Sequence, residues 1–178
     1  MNKKTTYIIV AILVIAIVIA GAAILLMNNG GNGNGETTPT PTPIPTVVGA
    51  NTLQINVDET ASWGTLHYIF AAKNMNSGTS QLVVRMDLID PSGNYSYVVD
   101  TGQTKAWLSV NNGATWTAEA DYTTDNTMVV TAFNDYVAKL EANWNGSDLT
   151  YTYTAGSGST ILISNISLNP TLPESLFA

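Results

Sequence analysis

QLVVRMDLIDPSGNYSYVVD, residues 81 to 100, decides the architecture. Between Gln81 and Ile89 the apolar residues Leu82, Val84, Met86 and Leu88 take every second position, which puts them on one face of an extended strand. Asp90-Pro91-Ser92-Gly93-Asn94 then forms a turn, because Pro91 presets φ and Gly93 tolerates a positive one. Tyr95 to Val99 resumes the β pattern, so the chain folds back on itself as a hairpin.

The same pattern extends in both directions. Upstream, Leu53, Ile55 and Val57 alternate with polar Gln54 and Asn56, and a strand follows near Thr65 to Ala72. Downstream, strands are expected at Lys105 to Val110, Thr115 to Ala118, Leu149 to Tyr153 and Thr160 to Leu168. Asn111-Asn112-Gly113 and Gly156-Ser157-Gly158 supply turns between neighbours. There is no regular internal repeat. One segment departs from the two-residue period: between Asp125 and Asn145 the residues Val129, Ala132, Phe133, Tyr136, Val137, Leu140 and Trp144 recur at three and four, drawing a stripe along a helix. Asp125 or Thr127 caps its start in this reading, and Asn145-Gly146 ends it. A lone amphipathic helix in a β chain must lay its stripe on a sheet face.

Residues 8 to 27 are all Ile, Val, Leu, Ala, Gly or Met, and at ~1.5 Å per residue twenty of them span the ~30 Å of a bilayer's hydrocarbon. Lys3 and Lys4 precede this run and no charge follows before Glu36, which orients a single-pass helix with its amino terminus in the cytoplasm and the rest outside. The rival readings are a signal peptide cleaved at Ala20-Gly21-Ala22 and a pilin-type processed helix, which Thr5 and Thr6 fit poorly. Residues 28 to 46, NNGGNGNGETTPTPTPIPT, are too polar to bury a core, and their Thr-Pro half is held near polyproline II. The domain plan is therefore an anchor over 1–27, a stalk over 28–46 and an extracytoplasmic β domain over 47–178, in the cell membrane.

Past the anchor, four cations (Lys73, Arg85, Lys105 and Lys139) face thirteen acids with no basic patch, which argues against nucleic acid and against anionic headgroups as partners. The chain has no cysteine, so it forms no disulfide, thiolate metal site or thiol nucleophile. Its one histidine, His67, lies in a strand between Leu66 and Tyr68 without a G-x-S-x-G elbow, and no Walker loop, HExxH or dinucleotide fingerprint occurs. The expectation is a non-enzyme without cofactor. Asp87, Asp90 and Asn94, and again Asp121, Asp125 and Asn126, offer oxygen ligands without EF-hand spacing; turn formation accounts for them, and no metal is assigned. Asn94, Asn145 and Asn165 head N-x-S sequons on the outer side and are candidate glycan acceptors, Asn145 the best placed and Asn165 within a strand. The aromatic set (Trp63, Trp107, Trp116, Trp144, Tyr68, Tyr95, Tyr97, Tyr151 and Tyr153) serves either a core or an apolar or glycan-binding cleft.

The run Val84-Arg85-Met86-Asp87, then Gly93-Asn94-Tyr95, then Lys105-Ala106-Trp107 with Gly113-Ala114-Thr115-Trp116, resembles the successive hairpins of LolA-like lipoprotein-carrier and lipoprotein-sorting domains. Ile163-Ser164-Asn165-Ile166-Ser167-Leu168-Asn169-Pro170 and the following Leu172-Pro173-Glu174-Ser175-Leu176-Phe177 resemble their closing strand and terminus, so the likeness covers about residues 51 to 178. It implies a mainly β, antiparallel unclosed barrel with one helix over its concave face; a β-sandwich is the alternative. It also implies a binding module for a lipid, a lipid-modified protein or another apolar ligand, with Val129, Phe133, Tyr136, Val137, Leu140 and Trp107 as lining. A stalked structural or adhesive surface module, needing no ligand, is the competing function.

Overall fold

The computed structural model describes residues 46–77, 80–90 and 93–177. The anchor, nearly all of the stalk and the Pro91-Ser92 corner of the hairpin turn lie outside them. Strands β1 (Thr52–Ala61), β2 (Gly64–Lys73), β3 (Val83–Asp90), β4 (Gly93–Asp100), β5 (Lys105–Ser109) and β6 (Thr117–Ala118) run as an antiparallel meander. The helix follows as α1 (Tyr122–Asn126), a π segment (Thr127–Thr131) and α2 (Ala132–Asn143), and the chain returns through β7 (Thr150–Thr154) and β8 (Thr160–Leu168). Because β8 pairs with β1, the result is one eight-stranded sheet in the order β6-β5-β4-β3-β2-β1-β8-β7, with two free edges. The sheet is unclosed and single, so the sandwich alternative falls. No helix among the described residues is long and apolar enough to cross a membrane.

Alternation assigns the faces. Leu53, Ile55 and Val57 of β1, Tyr68, Phe70 and Ala72 of β2, Val84 and Met86 of β3, Tyr97 and Val99 of β4, and Ile161 and Ile163 of β8 point to the helix and form the main core with it. The opposite face carries a smaller cluster in which Phe177 of the tail packs on Ala71, Val83 and Val98, flanked by Trp107, Trp116, Leu172 and Leu176. That cover is fixed by Asn169, whose Oδ1 accepts from Asn51 N at 2.8 Å, and by Thr52 Oγ1 donating to Pro170 O at 2.8 Å.

Three sequence expectations shift. The helix begins at Tyr122, not Asp125, because Asp121 caps it: its Oδ1 accepts from Thr124 N at 3.1 Å and its Oδ2 from Thr124 Oγ1 at 2.7 Å. The helix ends at Asn143, and Asp125 is buried within it. Asn165, read as an ordinary strand residue, breaks the strand's alternation. It is an exposed residue at φ 51° where β8 bulges against β1, Gln54 pairing with Ser167 but Asn56 with Ser164. The third strand pair is shorter than expected, since β5 stops at Ser109 and β6 is two residues long. Asn112 and Gly113 both take positive φ in the intervening loop; a Cβ on Gly113 would meet Arg85 and Trp116 at 3.2 Å.

Candidate functional site

Four of the six expected lining residues meet beneath the helix. Val129, Phe133, Tyr136 and Leu140 are buried against the sheet, with Phe133 1% exposed, while Val137 sits partly buried at the margin. The Phe70 ring takes the centre, 6.0 Å from Phe133 and 5.6 Å from Tyr136 in an edge-on contact. Trp107 does not join them: by its register opposite Val98 it belongs to the other face, with the tail cluster. The π segment makes the seam denser than a 3.6-residue period allows, since Met128, Val129 and Val130 are all buried in succession.

Among the described residues, openings lie on both faces of the sheet. A cleft of about 160 Å³ lies at the end where the described chain begins, lined by Val47, Gly49, Ala50, Met75, Asn76, Leu82, Phe133, Asn134, Val137 and Glu141. A larger one, about 320 Å³, lies on the opposite face between tail and sheet, lined by Lys73, Val83, Val98, Asp100, Gln103, Trp107, Glu174 and Phe177. Its polar groups are already engaged. Lys73 pairs with Glu174 and lies 4.6 Å from the Phe177 ring centre, and Asp100 accepts from Gln103 N at 2.9 Å and Nε2 at 2.8 Å. Arg85 knits the same face, donating to Asp87 at 2.9 Å and to Leu176 O at 2.8 Å beneath the Trp116 ring.

Polar groups also reach the helix side. Glu59 continues the inward alternation of β1; burial pushes its carboxyl up, while a hydrogen bond with Ser159 pulls the other way. Burial likewise raises Asp135, Tyr68, Tyr136 and Tyr153. Glu59 Oε1, Asp135 Oδ2 and Tyr153 Oη are buried without a hydrogen-bond partner. Sequence reasoning passed over Glu59, although its position two residues after Val57 was the signal. His67 Nδ1 meets Asp58 Oδ1 at 2.7 Å as an exposed cross-strand pair on the tail-side face. Among the described residues no group of three His, Cys, Asp or Glu side chains could hold a metal ion. Asn94, Asn145 and Asn165 are all exposed, although Asn145 is engaged with Ser147 and Asp148 in a turn. Comparison with protein-family models, with curated proteins and with solved structures found no match for this chain.

Proposed function

We propose that this chain is a non-catalytic surface module, held outside the cell membrane by its N-terminal apolar helix and Thr/Pro stalk, that acts through its outer surface and encloses no small ligand. The observation that carries this reading is the filled seam between helix and sheet. Phe133 and Leu140 stand 1% exposed against Phe70, the adjoining cleft of about 160 Å³ is smaller than the ~300 Å³ at which small-ligand pockets begin, and the opening of about 320 Å³ on the other face is bounded by polar groups already paired with one another. A close-packed seam stabilises the domain by apolar burial and leaves no room for an acyl chain.

Phe133→Ala tests it. A residue so buried in a dry core should cost ~3 to 5 kcal/mol, whereas Lys139→Gln, half-buried on the helix with its ammonium 5.7 Å from the Tyr153 ring centre, should cost only ~1 kcal/mol. Unfolding midpoints together with titration of an apolar fluorescent probe give the readout, the expected result being the full penalty with no probe uptake by the folded protein. A second reading keeps the carrier resemblance: a LolA-like half-barrel that takes up a lipid when the helix lifts. The unclosed sheet under one helix and the cleft beside Val137 favour it. Under that reading Phe133→Ala costs less and changes probe uptake, and organic extracts of gently purified protein contain a reproducible lipid.

A further inference from the structure

We propose that the outer edge of β7 is a self-association site at which two copies of this chain pair strand to strand. The two ends of the sheet differ in how they are protected. β6 is only two residues long, a common way of blunting an edge. β7 has five residues and, among the described residues, pairs with β8 alone. Its sequence, Thr150-Tyr151-Thr152-Tyr153-Thr154, contains no charge, proline or bulge that would discourage a further strand.

The strand is also its own complement. TYTYT reads the same in both directions, so antiparallel pairing about a two-fold axis at Thr152 sets Thr150 opposite Thr154, Tyr151 opposite Tyr153 and Thr152 opposite itself. The two-residue period keeps every threonine on the tail-side face and every tyrosine on the helix side in both copies, and threonine–threonine and aromatic cross-strand pairs are favourable. Leu149, just before the strand and 80% exposed, comes to lie opposite Ala155 of the second copy. An axis perpendicular to the sheet leaves both helices on one face. Val47, where the described chain enters, packs on that same face, so two copies tethered in one membrane can meet this way. One short strand pair buries less than the ~1,200 Å² of a stable complex, and the association is therefore weak and favoured by crowding on a surface.

The absence of cysteine gives a direct test in the full chain in membranes. In an antiparallel pair directly opposed Cα atoms lie ~4.5 to 5.5 Å apart, within disulfide reach, so Thr152→Cys should form a disulfide-linked dimer under mild oxidation. Thr150→Cys should stay monomeric, its counterpart being displaced by about 13 Å along the strand, and Thr60→Cys, on the same face but away from the edge, should stay monomeric too. The double variant Thr150→Cys/Thr154→Cys should crosslink again, and adding Thr152→Lys, which opposes two cations on the axis, should abolish that. Unchanged unfolding midpoints verify that these exposed positions tolerate the changes. Monomer for Thr152→Cys, equal dimer from the Thr150 or Thr60 variants, or capture of a different protein at Thr152 overturns the proposal.

Discussion

Asp125 is buried in the first part of the helix, and its carboxyl is pushed up to about 6, first by that burial and then by the charges of Glu119 and Asp121. A carboxylic acid raised in the fold binds its proton more tightly there than in the unfolded chain. Its stabilising contribution is therefore complete below the ordinary value near 3.8 and is lost as the pH climbs through about 6. Asp125→Asn should raise the unfolding midpoint at pH 7 and leave it nearly unchanged at pH 4; equal effects at both would show that charge is not the cause. The sequence pattern offered Asp125 or Thr127 as the helix cap, but the chain enters the helix one turn earlier, so Asp121 takes that role and Asp125 falls inside the helix. Phe133 and Leu140 were readable, since a three-four stripe has one face to bury. Trp107 was not: the sheet has apolar positions on both faces, and only the register opposite Val98 says which of them a tryptophan joins.

At the scale of elements, the strands were legible wherever one face was wet and the other dry, as in β1 and β8. The π segment was not, because TMVVT is an apolar run that breaks the helical period, and the extra residue that brings Met128, Val129 and Val130 inward together is a response to the sheet beneath. The tail is a second such case. Residues 169 to 177 have almost no regular structure, yet they cover the central strands from behind through Phe177, with Arg85 holding the Leu176 carbonyl. Phe177→Ala should cost about 2 to 3 kcal/mol, the worth of burying one large apolar side chain, while leaving the helix-side core largely as it is, the near-ultraviolet change being confined to the tryptophan bands of Trp107 and Trp116. Chemical denaturation and circular dichroism measure the two effects; loss of the aromatic signal would mean that both faces form one cooperative unit with the tail.

For the whole molecule, the meander from β1 to β6 follows from short turns between successive alternating runs, and that much the pattern forecasts. Nothing local says that β8 returns to β1, for the pairing rests on matching two distant strands and on the bulge at Asn165 that brings Ile166 and Leu168 back to the dry side. β1 and β2, flanked on both sides, should be the slowest strands in amide hydrogen exchange, and the two-residue β6 the fastest; the reverse order would place the folding core elsewhere. The position of β1 between β2 and β8 also has a meaning in time. A ribosome adding ~5 to 20 residues per second presents β1 and β2 several seconds before β8 exists, and for that interval β1 carries an open flank in an otherwise finished hairpin. On its tail-side face the alternate positions are Gln54, Asn56, Asp58 and Thr60, hydrophilic groups that keep that side of the nascent strand wetted and discourage a stray chain from settling there before the rightful neighbour is made.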